Sequence, residues 1–138
     1  MSMTERWFHG RLHELSEAEC WALLRSASVG RVGYTDQAGP VVVPVNFAVD
    51  GRSVVIRTSV SGELARHLPT TAVAFEADET DDFTQPGWSV LLRGLVEMVG
   101  PAGPRDPEAQ PDPWPAGDRS LLLRVTPSQV TGRRLIPA

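Results

Sequence analysis

The chain has 138 residues, a hydrophobic content of 41% and a formal net charge of −4. This composition predicts a single domain over residues 1–138 with a buried core, and the negative charge argues against nonspecific nucleic-acid binding. No apolar run reaches the ~20 residues that span a bilayer, the N-terminus lacks the apolar segment of a signal peptide, and Cys20 is the only cysteine, so we expect a cytoplasmic protein without membrane or nucleic-acid partners.

The first predicted element is a helix that begins at Leu15. Ser16 and Glu19 have the spacing of a capping box. An apolar stripe at helical spacing follows, formed by Cys20, Leu23, Leu24 and Ala27. The helix is predicted to end near Ser28, with residues 1–14 as an N-terminal extension, and the place of Cys20 on the stripe predicts a buried, unreactive thiol.

A β-hairpin is predicted next, after a strand over Val29–Thr35 and a turn over Asp36–Gly39. Apolar side chains alternate from Val41 to Val49, and Asp50-Gly51 supplies a hairpin turn before a return strand over Ser53–Thr58. Pro44 cannot donate a ladder hydrogen bond and so predicts an edge or a bulge with backbone groups free for a ligand. An ordinary hairpin with a tolerated proline fits the same residues.

A candidate anion site lies where the hairpin leads into a short predicted helix. Ser61 is a suitable N-cap, and helix N-termini attract anions. A phosphate could be held there by Arg57, Thr58, Ser59, Ser61 and the Gly62 amide. Alternatively, Ser61 only caps the helix and Arg57 is solvated. Glu63 favours this alternative, because a carboxylate in the first turn satisfies the helix dipole and repels phosphate.

The second half of the chain is predicted to be strands joined by polar segments. Strands are expected over Thr71–Ala77, Trp88–Val99, Leu121–Thr126 and Thr131–Leu135, with Pro127 separating the last two. The acidic stretch 76–82 does not match a calcium loop and is interpreted as a solvated loop. Residues 100–117 hold six of the twelve prolines and are interpreted as a long connection, in which Trp114 could act as a lid or a plain surface anchor.

These elements predict a mainly β protein: a six-stranded antiparallel split β-barrel with an N-terminal helix and one short inter-strand helix. The strand over Trp88–Val99 is largely apolar on both faces, so one cover could be a second subunit. Gly94 within it indicates a bend or a close approach of another backbone.

No metal site is predicted. His9 and His13 are four residues apart, which would suit a metal on a helix, but Gly10 disfavours a helix there and no third ligand is evident. The segment Gly30-Arg31-Val32-Gly33 lies in a strand and lacks the full spacing of a dinucleotide-binding motif.

The order and spacing of five segments are similar to those of the pyridoxamine 5′-phosphate oxidase-like family, particularly its short actinobacterial-type members. The segments are LSEAECWALLRSASVGRVGYT, PVVVPVNFAVDGRSVVIRTSVSGEL, VAFEADE, GWSVLLRGLVEMV and LLLRVTPSQVTGRRL, and they cover about Leu15 to Leu135. The resemblance implies a flavin-binding split barrel and a homodimer with cofactor sites at the subunit interface. The usual cofactor would be FMN, with the deazaflavin coenzyme F-420 or haem in some members.

The resemblance also assigns candidate cofactor-binding residues. Pro44, Val45, Asn46 and Phe47 would border the flavin ring. The phosphate would meet Arg57, Thr58, Ser59 and the turn formed by Ser61, Gly62, Glu63 and Leu64. The pocket would be completed by Trp88 and Ser89, and by Trp114 from the partner. Many relatives have lysine where this chain has Glu63, which predicts weakened binding of the FMN phosphate.

Three functions follow from the resemblance. The first is an FMN-dependent oxidoreductase that transfers a hydride or an electron to or from a small molecule. The second is a reductase of the same fold that uses deazaflavin. The third is a non-catalytic member that binds a cofactor or ligand weakly. No catalytic acid or base is assigned, because in flavin chemistry the cofactor reacts and the protein supplies position and electrostatics.

Overall fold

The computed structural model describes residues 11–59, 72–80, 87–112 and 120–136. One helix and seven strands occur in these ranges. In chain order they are β1 (Arg11–Glu14), α1 (Glu17–Arg25), β2 (Val29–Asp36), β3 (Gly39–Val49), β4 (Val54–Ser59), β5 (Ala72–Thr80), β6 (Gly87–Met98) and β7 (Ser120–Ile136).

Six of the strands close into an antiparallel ring. Their order is β7-β4-β3-β2-β5-β6, and β6 pairs back onto β7, while the short β1 joins only the far end of β7. The long β7 closes the ring because its first half pairs with β4 and most of its length pairs with β6. The predicted six-stranded split barrel with an N-terminal helix is therefore confirmed.

The helix α1 seals the barrel core. Ser16 and Glu19 form both bonds of the predicted capping box. Cys20 and Leu24 are fully buried with the side chains that fill the barrel, such as Phe75. At Gly132 of β7 an added Cβ would lie 2.6 Å from the Cys20 sulfur, so glycine is needed for this close helix–strand contact. The burial predicted for Cys20 is confirmed.

The seam between β6 and β7 contains a bulge. Arg93 pairs with Gln129 but Gly94 pairs with Pro127, which leaves Ser128 as an extra residue. Pro127 was predicted to separate two strands, and that prediction was wrong: β7 runs through it without interruption. A proline is tolerated at a bulge because the ladder is already broken there, and its missing N–H then costs no regular ladder bond.

Two other sequence interpretations change in the structure. Residues 11–14 form β1 and do not simply extend the N-terminus. The acidic stretch was interpreted as a solvated loop, but Glu76, Asp78 and Glu79 lie within β5. The strand accommodates this charge because the first two carboxylates pair with Arg31 of the neighbouring β2. Asp81 and Asp82, and the predicted helix after Ser61, lie outside the described residues.

Candidate functional site on the outer face of the barrel

Strand alternation divides the predicted cofactor-binding residues between two faces. Val45, Phe47 and Thr58 are buried on the inner side. Phe47 packs edge-on against Phe75 with ring centroids 4.9 Å apart. Because successive side chains of a strand point to opposite faces, side chains buried inside cannot meet a ligand on the outer surface. These residues therefore shape the barrel wall, and only their backbone could reach an external ligand.

Four of the remaining predicted residues lie on the outer face: Pro44 and Asn46 of β3, Arg57 of β4 and Ser89 of β6, whereas Trp88 has the parity of the buried Val90 and faces the inner side. Asn46 pairs directly with Arg57 in the β3–β4 hairpin, so both side chains emerge on the same side. Pro44 is exposed, and Ser89 is half-buried. Trp88 is partly buried against the core. The alternation thus brings an amide and a guanidinium side by side on rigid strands.

A segment of the proline-rich connection covers part of this outer face. We call residues 100–112 the strap. Its Ala109 is buried, although the surrounding chain has no regular secondary structure. Val55 of β4 lies on the outer face and is nevertheless fully buried, as expected beneath such a cover. The segment was predicted to be a structureless connection, and these described residues instead pack against the barrel.

The carboxylate of Asp50 anchors the strap. It accepts hydrogen bonds from the backbone amides of Arg105 at 3.0 Å and Asp106 at 2.9 Å, and from Nη1 of Arg124 at 2.8 Å. Burial acts to raise the pKa of Asp50, but the bonds from Asp106, Arg124 and Arg105 outweigh it and lower the pKa below its ordinary value. The hairpin-turn residue of the sequence is therefore a buried, ionised anchor.

Arg124 completes the anchor from β7. Its guanidinium is buried and also donates to the Ser53 hydroxyl at 2.6 Å, while Ser53 donates to the Asp50 carbonyl at 2.6 Å. Removing one member of a buried ion pair leaves an uncompensated charge, which typically costs about 3–5 kcal/mol. This network rigidly fixes the base of the strap to the hairpin.

The far end of the strap bonds to the two outward polar residues of the hairpin. Nδ2 of Asn46 donates to the carbonyl of Asp112 at 3.0 Å. Nε of Arg57 donates to the carbonyl of Pro111 at 3.1 Å, and its Nη2 lies 3.4 Å from Oε1 of Gln110. The two acceptors that bond to Arg57 are uncharged oxygens, so these two bonds orient the guanidinium and do not themselves neutralise its charge.

A charged group continues the outer face on the other side of β3. Pro44 pairs with Arg31, which pairs with Glu76, which pairs with Leu91, so these residues form one row across four strands. Arg31 bonds to Glu76 at 3.0 Å and to Asp78 at 3.3 Å. Burial, reinforced by the neighbouring Asp78 carboxyl, raises the pKa of Glu76 from 4.5 to about 7, although Arg31 acts in the opposite direction.

A pocket of about 280 Å³ lies at the end of this row. Ser89 and Leu91 of β6 form part of its wall, with Arg133 of β7 beside them. The β1 strand supplies Leu12 and Glu14. Its volume is close to the lower limit for small-molecule sites. Ser89 is therefore placed at a pocket, as a ligand-binding role requires.

The outer face also carries an apolar patch. A shallow groove of about 640 Å³ is lined by Ala72, Ala74, Leu91 and Leu95, among others. Leu95 is 61% exposed, and Val42, which pairs with Gly33 beside Ala74, is 67% exposed. Exposed aliphatic side chains gathered on one sheet face are typical of interaction surfaces in general.

Five other predicted site residues lie outside the described ranges. They are Ser61, Gly62, Glu63, Leu64 and Trp114. Ser59 ends β4, where its backbone pairs with Ser120.

Among the residues that the structure describes, no group of three His, Cys, Asp or Glu side chains could hold a metal ion, and His13 lies in a strand. Within the same residues no helix is long and apolar enough to cross a membrane.

Sequence reasoning missed Asp50, Arg124 and the Arg31–Glu76–Asp78 group. Each owes its role to a partner distant in the chain, such as Asp50 and Arg124. One local signal was available: Leu122 and Val55 are apolar residues at outward positions, which indicates that something covers that face. Arg124, two residues after Leu122 and on the same face of the strand, would then have to be buried and paired.

Comparisons with known proteins agree with this architecture. The family model described as pyridoxamine 5′-phosphate oxidase matches residues 16–134. An uncharacterised protein of Mycobacterium tuberculosis strain H37Rv is 34% identical, with 89% of this chain and 85% of that protein covered. The structure of the FAD binding protein from Mycobacterium smegmatis is 33% identical, covers 90% of this chain and 98% of its own, and superposes with a TM-score of 0.70.

A further solved structure extends the likeness of the fold. An FAD-binding protein from Mesorhizobium loti superposes with a TM-score of 0.69 and covers 92% of this chain and 98% of its own. Its sequence identity is 20%, so it supports the fold alone.

Proposed function

Because the chain belongs to the pyridoxamine 5′-phosphate oxidase family, we propose that it binds a flavin on its outer face and serves as an oxidoreductase for a small molecule. The observation that carries the proposal is the 33% identity to an FAD binding protein over 98% of that protein's length. At this identity and coverage, a shared cofactor class is the simplest expectation. FMN is the form we favour, because it is the usual cofactor that the family resemblance implies and because the guanidinium of Arg57 beside the amide of Asn46 suits one phosphate group.

The residues on the outer face suit this cofactor class. Arg57 supplies a fixed positive charge for a phosphate, and guanidinium groups recognise phosphate through several parallel N–H bonds. Asn46 supplies an amide for the polar edge of a ring. Pro44 and Leu91 offer apolar surface in the neighbouring row. A charged contact beside an apolar platform is the combination that a phosphorylated aromatic cofactor needs.

A second copy of the chain would complete the site. The patch of Val42, Ala72, Ala74, Leu91 and Leu95 continues from the candidate site, so a partner that covers the patch would also wall the cofactor. Burial of aliphatic surface stabilises such a contact by roughly 25 cal/mol per Å². We therefore propose a homodimer in which Trp114 of one subunit approaches the cofactor of the other.

The bound flavin would supply hydride or single-electron transfer. The chain's own groups would bind and orient it: Arg57 holds the phosphate, Asn46 donates a hydrogen bond to the ring edge, and the inward Phe47 and Val45 stiffen the supporting strand. Glu76 lies in the outward row with Pro44 and Leu91, and since burial raises its pKa to about 7 it would hold a proton on that face at neutral pH in this proposal.

An absorption spectrum of purified protein, followed by titration with riboflavin, FMN and FAD, tests the proposal. We expect bound flavin, and a loss of affinity in Arg57→Met that is larger for FMN than for riboflavin. Arg52→Met is the matched control, since Arg52 lies on the same hairpin but pairs with Glu17 at the surface. If the protein binds none of the three flavins but quenches the fluorescence of the deazaflavin coenzyme, the cofactor in the proposal would be deazaflavin and not FMN. No response to any of them would refute cofactor binding.

The predicted opposition between Glu63 and phosphate is tested separately. We expect Glu63→Lys to tighten FMN binding without a matching change for riboflavin. Glu97→Lys in β6 makes the same change of net charge on an exposed strand position and serves as the control. Equal effects of the two substitutions would mean that Glu63 does not face the phosphate.

A further inference from the structure

The strap is attached to the barrel at two separated places. At its base, the Asp50 carboxylate accepts hydrogen bonds from the backbone amides of Arg105 and Asp106. At its end, the carbonyls of Pro111 and Asp112 hold Arg57 and Asn46. Only a few residues separate these contacts, so the position of the end is dictated by the anchored base.

We propose that Asp50 is a positioning residue: by holding the strap, it fixes the outward side chains of Arg57 and Asn46, and so determines whether the site distinguishes a phosphorylated flavin from one without phosphate. This inference rests on the proposed function. Asp50 itself is 1% exposed and does not touch the ligand; it acts through the strap.

The physical reason lies in the side-chain entropy of arginine. A free arginine samples many rotamers, and ordering it upon binding costs conformational entropy. In this structure the bond from Nε to the Pro111 carbonyl holds the guanidinium in one orientation before a ligand arrives. Such preorganisation raises the affinity for a phosphate, since part of the ordering cost has already been met during folding.

The Asp50 carboxylate is chemically suited to this task and an amide is not. It accepts three bonds, from two backbone amides and one guanidinium. In Asp50→Asn, one of the acceptor oxygens becomes an NH₂ group, which would face a donor and leave the buried Arg124 without its counter-charge. The substitution therefore releases the base of the strap while it preserves the size of the side chain.

A second variant releases the strap without touching this ion pair. Ala109 is 3% exposed within the strap, so Ala109→Gln places a larger polar side chain where there is no solvent and adds no charge that would itself repel phosphate. Asp50 and Arg124 remain intact in this protein. It therefore keeps the test valid if Asp50→Asn fails to fold, which far-ultraviolet circular dichroism would reveal.

The experiment combines hydrogen exchange with binding by wild type, Asp50→Asn, Ala109→Gln and the control Arg52→Met. We expect amides of the strap to exchange at least about tenfold faster in the two strap variants. In the same variants FMN affinity should fall about tenfold and riboflavin affinity by a clearly smaller factor, because riboflavin loses only the orientation of Asn46 whereas FMN also loses that of Arg57. The control should match wild type in both measurements.

Each contrary outcome has a distinct meaning. A wild type that binds no flavin refutes the proposed function, and this inference with it. If wild type binds FMN but the released strap changes FMN and riboflavin affinity by equal factors, Asp50 is only structural. Unchanged exchange of the strap in both variants would show that Asp50 does not hold it, and tighter FMN binding would show that the strap competes with phosphate.

Discussion

Gly94→Ala should severely weaken the closure of the barrel. A Cβ added at Gly94 would lie 2.1 Å from the carbonyl oxygen of Thr126 and 2.9 Å from the Cα of Pro127. Both atoms belong to the backbone of β7, so no side-chain rotation relieves the contact, and the strand must retreat by about 1.3 Å to reach the ordinary 3.4 Å. Forcing extra volume into a packed site costs about 1–3 kcal/mol, and a backbone clash belongs at the upper end.

The measurement is chemical and thermal unfolding at one protein concentration, because association would make stability concentration-dependent. We expect a loss of about 3 kcal/mol, or roughly 10 °C in the melting temperature. Gly33→Ala is the matched control within a strand, since its nearest neighbour would be 3.8 Å away, and Gly100→Ala is a control outside the sheet with nothing within 4 Å. A Gly94→Ala protein as stable as the Gly33→Ala protein would refute the close approach of β6 and β7.

Three further predictions concern other parts of the molecule. Because the pKa of Glu76 is raised, its carboxyl binds a proton below about pH 7 in the folded state but only below about pH 4.5 in the unfolded state. The stabilisation of the folded state by this proton is therefore complete below pH 4.5 and is lost as the pH rises to 7. Because Glu76 is partly exposed, solvent screening reduces the effect, and the unfolding free energy of wild type should fall over this pH range by about 1 kcal/mol relative to Glu76→Gln. Parallel pH profiles of the two proteins would contradict this prediction. Burial raises the pKa of the Cys20 thiol, so alkylation at pH 8 should require unfolding; rapid labelling of native protein would show an open helix interface. Ser16→Ala removes the capping box and should cost about 1 kcal/mol in denaturant unfolding, whereas no change would mean that the cap is redundant.

The sequence predicted those parts of the fold that depend on local pattern. The capping box of Ser16 and Glu19 and the alternation around Asn46 are visible within a few residues, and the structure contains both. Wrong predictions arose where a local signal was overridden by a distant partner. Pro127 normally interrupts a strand, but the bulge opposite Gly94 accommodates it. The carboxylates of Glu76 and Asp78 suggested a loop until Arg31 supplied their counter-charge.

The amino-acid pattern by itself determined the β-rich class, the capped N-terminal helix and the hairpin of β3 and β4, because periodicity and turn chemistry act over short stretches of chain. The register that pairs Asn46 with Arg57 was not predicted from the sequence. Only the tertiary structure decided that Asp50 and Arg124 meet beneath the strap. It also decided that Val45, Phe47 and Thr58 among the candidate residues face inward, away from any external ligand. The reason is physical: a buried charge is tolerated only beside its partner, and that partner is 74 residues away in the chain.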